Sequence, residues 1–177
     1  MSTFHAPARP INAKSGDERR QLDGWLDFYR ATLLTKCDGL SEDEMTTRPV
    51  TSSSLSLLGL VRHMTVVETY WFQNVLLGED TVSPFHGRDE NGDAIADDDF
   101  VNLASHSLDA VVALYDAATV ASTRAASGHA LGDVAVRGRH GEPVDLRWIY
   151  LHMIEEYARH CGHADIVREL LDGVTGY

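Results

Sequence analysis

Four stretches of this chain repeat apolar residues at three- and four-residue steps, the period of a helix with one buried face. In "SGDERRQLDGWLDFYRATLL" the repeating residues are Leu22, Trp25, Leu26, Tyr29 and Leu33. In "TSSSLSLLGLVRHMTVVETYWFQNVLLG" they are Leu57, Leu60, Met64, Val67, Trp71 and Val75. Phe100, Leu103, Val111, Leu114 and Ala118 mark a third stretch, and Ile149, Met153, Ala164, Val167, Leu170 and Leu171 a fourth. Amphipathic helices can bury such stripes only against one another, so the spacing predicts an all-α fold, a four-helix bundle.

Punctuation residues set the expected boundaries. Ser15 with Glu18 forms a capping box for the first helix, which stops near Gly39. Ser41 with Glu44 opens a short helix that Pro49 ends. A serine caps the second long helix and Gly78 stops it. The acidic stretch "EDTVSPFHGRDENGDAIADDD" cannot form a core and suits a long crossover between the second and third helices. One of Asp97 to Asp99 is expected to cap the third helix, and Gly128 to break it. "DVAVRGRHGEPVDL" alternates briefly, as a small β-hairpin would. Asp145 then caps the fourth helix, which runs to about Asp172. Residues 1–14 read as a loose lead-in and 15–177 as a single domain.

The net charge of −12 would repel a phosphate backbone, and the arginines are scattered, so no nucleic-acid partner is expected. No apolar run is long enough to cross a membrane, and the start has no apolar leader core. Cys37 and Cys161 make neither a Cys-x-x-Cys unit nor a disulfide framework, which fits a reducing cytoplasm.

The fourth stretch, "HMIEEYARHCGHADIVRELL", carries three histidines and two glutamates near its start. At about 100° per residue, His152, Glu156, His160 and His163 share the roughly 120° sector of its apolar residues. The stripe is therefore apolar at both ends and ionisable in the middle. A carboxylate buried there needs a cation, either a protonated histidine or a metal ion. Both His152/Glu156 and Glu156/His160 have the four-residue spacing that lets two side chains share one ion. Spacing alone does not choose between them. A further ligand must come from another helix, and His63 can face the interior about 60° from the centre of its own stripe. Tyr70 lies on His63's side and can line a pocket. Cys37 and Cys161 read as structural.

"LSLLGLVRHMTVVETYWF" and "LRWIYLHMIEEYARHCGHADIVRELLDGVTG" resemble the DinB/YfiT-like superfamily of metal-binding four-helix bundles, most of all its actinobacterial branch. The resemblance covers roughly residues 17–176. It implies one histidine on the second helix, matched by His63, and a pair on the last helix, matched at its end by His160. Glu156 stands where many members carry histidine, but mycothiol-dependent members have a His, Glu, His set. His163 falls where many carry glutamine, as a pocket residue or an alternative ligand. The implied activity is a metal-dependent thiol S-transferase of detoxification type. It would join a low-molecular-weight thiol, mycothiol in an actinobacterium, to an electrophile. The arginine-over-lysine bias favours mycothiol. Zn2+ suits such a site, and Fe2+ or Ni2+ fit the same donors. A thiol entering an open position beside the ion loses its proton readily, and His163 or Tyr70 can orient it. A metal-dependent hydrolase and a non-catalytic metal-binding stress-response module are the rival expectations, and each of the three readings is compatible with a homodimer.

Overall fold

The computed structural model describes residues 3–12, 14–88, 90–93 and 95–176. Parts of the lead-in (residues 1, 2 and 13), Asp89 and Ala94 of the long connection, and Tyr177 lie outside the described residues. The fold is all-α, with no strand among the described residues. Helix α1 is Glu18–Thr35, α2 is Glu42–Thr46, α3 is Leu57–Glu68, α4 is Leu108–Ser127 and α5 is Leu146–Asp172. A π-helical segment, Thr69–Leu76, continues α3 without a break. Helix α1 packs along α5, α3 along α4, and α3 also touches α5.

The ends follow local chemistry. Ser41 and Glu44 form the full capping box expected of α2. The cap of α1 is Asp17, whose carboxylate accepts from Arg20 N at 2.9 Å, and not Ser15. Asp145 caps α5 through Trp148 N, and Gly173 ends it with φ +78°. Helix α4 starts eight to ten residues later than the aspartates suggested: Ser107 is its cap, and Asp97 to Asp99 lie in the preceding loop. The stripe of α4 is consequently Leu108, Val111, Tyr115, Ala118 and Ala125. The expected hairpin region carries two isolated bridges, Val134 with Asp145 and Arg139 with Glu142. The lead-in is tied down at Phe4, whose N–H donates to Leu40 O at 2.9 Å.

The core runs along α1, α3, the π segment and α5, through Leu26, Leu33, Leu57, Met64, Phe72, Ile149, Met153, Ala164 and Val167. Within the π segment, Trp71 and Val75, and Phe72 and Leu76, are buried at four-residue steps, which suits the wider π turn. Trp25 and Leu170, expected on buried stripes, are 44% and 58% exposed. Trp25 instead stacks on Tyr29 at the surface, 5.9 Å between ring centroids.

One polar cluster sits inside this core and joins the four long rods. Glu68 on α3 is 0% exposed. Arg30 on α1 grips it with two bonds, Nε to Oε1 and Nη2 to Oε2, each 2.8 Å. Tyr157 on α5 donates to Glu68 Oε1 at 2.8 Å, and Tyr115 on α4 lies 3.0 Å from the Tyr157 hydroxyl. Burial alone would weaken the Arg30 charge, but the facing Glu68 carboxylate outweighs it and holds the guanidinium pKa well above its ordinary value. Burial likewise pushes both tyrosine hydroxyls up, so they remain protonated donors.

Removing one partner of a buried pair leaves the other charge unmet. Glu68→Ala should lower stability by about 3–5 kcal/mol, read as a shift in the urea midpoint at unchanged slope. The double variant Arg30→Met/Glu68→Leu should recover most of that loss. A single-variant loss too small to measure would show that the cluster does not hold the rods together.

Candidate metal centre

His63 sits in the middle of α3, and Glu156 and His160 lie one turn apart in the middle of α5. The packing of α3 on α5 brings them together: one ligand atom from each of the three lies within 4.8 Å of the others. The His63 and His160 rings meet edge to face, 4.6 Å between centroids. All three are half-buried, with side-chain exposures of 24% for His63, 17% for Glu156 and 12% for His160.

Each imidazole is oriented by a neighbour. His63 Nδ1 is 2.6 Å from Asp99 Oδ2, so its Nδ1–H donates to the carboxylate and its Nε2 lone pair is left for the interior. Asp99 owes its position to a chain of contacts in the long loop. Buried Arg62, next to His63, donates to Asp98 O at 2.9 Å and Asn102 O at 3.0 Å, and it lies 4.8 Å over the Phe85 ring. Phe100 then packs onto Gly59, where a β-carbon would sit only 2.6 Å from its Cδ1. On α5, His160 Nδ1 is 3.4 Å from His163 Nδ1, and His160 Nε2 is 3.3 Å from Glu156 Oε2. His163 therefore touches His160 from outside the three-residue group. Tyr70 is 45% exposed and lines a separate pocket of about 520 Å³ with Val67, Asn74 and Thr81.

The second spacing, His152 with Glu155 and Glu156, also gathers its atoms within 4.8 Å. Its groups are already engaged. His152 Nε2 faces the Arg139 guanidinium at 3.4 Å, and exposed Glu155 pairs with Arg159. A cation placed there would be repelled by Arg139. The geometry therefore favours the Glu156/His160 register.

The electrostatics suit a cation between His63, Glu156 and His160. Burial, reinforced by His63, His163 and Arg159, pushes the His160 pKa down to about 3. Burial also lowers His152, against the pull of Glu156. The imidazoles flanking Glu156 are thus neutral near pH 7, and among the described residues no Lys or Arg pairs with it. Neutral histidine is the form that binds a metal, and a half-buried carboxylate between two of them lacks its counter-charge. Two imidazoles and a carboxylate form a donor set that leaves at least one position open on a divalent ion.

Sequence spacing missed Asp99, one of three aspartates expected to supply a helix cap, and Arg62, which it did not single out. For Asp99 the available signal was its neighbourhood: three consecutive aspartates in a connection too long to be a simple turn.

Among the described residues no helix is long and apolar enough to cross a membrane. No curated protein matches the chain. The model of the family described as mycothiol-S-transferase matches residues 21–173, which takes in every residue of the site. This chain belongs to the mycothiol-S-transferase family, a DinB/YfiT-like family.

Proposed function

We propose that this protein is a metal-dependent S-transferase that joins mycothiol to an electrophilic carbon, with His63, Glu156 and His160 holding the ion. The observation that carries the reading is the meeting of these three groups around a carboxylate that has no other cation. Family membership supplies the class of reaction. The scaffold in this reading is a DinB/YfiT-type four-helix bundle of α1, α3 with its π extension, α4 and α5, and residues 15–177 act as one domain.

A bound divalent ion, Zn2+ by donor type, would lower the pKa of a thiol at its open position and so raise the thiolate fraction near neutral pH. The chain's own residues do the rest. Asp99 fixes the tautomer of His63, and His163 accepts from His160 Nδ1–H so that Nε2 is turned inward. The half-burial of the site keeps bulk water from competing for that position. The thiol proton leaves to solvent, the C–S bond forms with the sulfur's electron pair, and the leaving group departs with the pair of its own bond.

The nucleophilic sulfur must come from the co-substrate. Cys37 and Cys161 are both buried, and burial pushes each thiol up to about 12. Neither can ionise near neutral pH or meet a soluble electrophile. A reducing cytoplasm, where both stay unpaired, is the compartment this reading needs.

Elemental analysis of the purified protein should find about one divalent ion per chain, and chelation should abolish conjugation of mycothiol to monobromobimane. His63→Ala, Glu156→Ala and His160→Ala should each lose the ion, while His152→Ala keeps it. Asp99→Asn should keep the fold but weaken the metal affinity about 10–100-fold. Metal retained in Glu156→Ala would overturn the ligand set, and turnover without added thiol would point to hydrolysis. Ellman's reagent should label neither cysteine in the folded protein and both after denaturation, and rapid labelling of the native chain would reopen the question of a protein nucleophile.

A further inference from the structure

Arg139 stands two contacts from Glu156. Its backbone is clamped in a tight turn, where Arg139 and Glu142 exchange N–H···O bonds of 2.8 Å in both directions. Its guanidinium lies over two indole rings, 5.4 Å from the centroid of Trp71 and 5.7 Å from that of Trp148. Its Nη1 is 3.4 Å from His152 Nε2, and the same His152 nitrogen is 3.5 Å from Glu156 Oε1. The His152 ring is itself sandwiched, stacked on Trp148 at 4.9 Å and meeting Trp71 edge-on at 4.8 Å.

Among the described residues Arg139 has no carboxylate partner, although the chain carries 27 acidic against 15 basic residues. Other arginines of the chain are committed. Arg30, Arg137, Arg147 and Arg168 pair with acids, and Arg62 is held by backbone carbonyls. Arg139 is instead held by ring faces and one imidazole. Ring faces fix the plane of a guanidinium without occupying its N–H groups. What remains is a half-buried, pre-oriented fork of donors, the geometry that binds a carboxylate through two parallel bonds. Beside it opens a hollow of about 470 Å³ whose apolar side, Trp148, Val134, Pro143 and Val144, can take an apolar body, with Glu142 and Asp145 also on its wall.

We infer that Arg139 is the anion-binding residue of the substrate site, and that the electrophile is one bearing a carboxylate, held by Arg139 so that its reactive carbon faces the thiol at the His63, Glu156 and His160 centre. The inference rests on the S-transferase reading and names its substrate class. The reaction needs nothing further: the C–S bond forms as the bond to the leaving group breaks, and no atom is oxidised or reduced by an outside reagent.

Two matched pairs of probes test it. With mycothiol and the metal-loaded protein, iodoacetate and iodoacetamide differ only in charge, and iodide leaves from both. Arg139→Gln should raise KM for iodoacetate about tenfold or more, with kcat and the iodoacetamide reaction little changed. Arg139→Lys, which keeps the charge but not the fork, should fall between. Independently of turnover, tryptophan fluorescence should report tighter binding of phenylacetate than of phenylacetamide to the wild-type protein, and Arg139→Gln should erase the difference. Loss of mycothiol affinity with both electrophiles alike would overturn the inference, as would an acid preference that survives in Arg139→Gln or is absent from the wild type. Acid-selective, Arg139-dependent fluorescence without conjugation of either iodo compound would uphold the anion site and sink the transferase reading alone.

Discussion

The buried pair of Arg30 and Glu68 is the constraint on which the other features depend. A fully enclosed carboxylate is tolerable only because two guanidinium nitrogens and a tyrosine hydroxyl meet it at 2.8 Å each. Those partners come from α1 and α5, and Tyr115 adds α4. The network therefore sets how each rod is rotated, which apolar packing alone leaves loose. Tyr157 is the neighbour of Glu156 in sequence. Pinning its hydroxyl to Glu68 fixes the angular setting of α5, and with it the direction in which Glu156 and His160 point.

Above that polar anchor the proposed centre works by the opposite logic. The anchor is fully satisfied by the protein, whereas Glu156 is flanked by imidazoles that burial keeps uncharged. Two clusters that share α3 and α5 thus differ in which of them has been given its counter-charge. That contrast separates a fastening from a binding site more clearly than burial does.

How much of this was legible in the chain follows from the range of each interaction. His63, Glu156 and His160 could be read because helical periodicity converts spacing into direction, and two of them share a helix. Spacing alone left His152 and His160 level as partners of Glu156. Arg139, on a turn thirteen residues before His152, separates them in space. Asp99 was one of three aspartates read as a cap because local chemistry favours aspartate there, but Phe100 packs against Gly59 and the loop carries Asp99 to His63 instead. Glu68 was invisible as a core residue because its partners are 38 and 89 residues away. The all-α character came from repetition along the chain, and the polar contacts that refine it came from distances no local window spans.

His63 touches Asp99 on one side and His160 on the other, and these two neighbours do not share one mechanical character. Glu156 and His160 ride on a helix locked by its neighbours, but Asp99 rides on a loop tethered through Arg62. In the proposed reading, an ion held by His63 and the contact of Asp99 with His63 would be linked, each favouring the other by the same free energy. Through Arg62, Asp98 and Asp99 the long connection is therefore part of the wall around His63 as well as a link between helices.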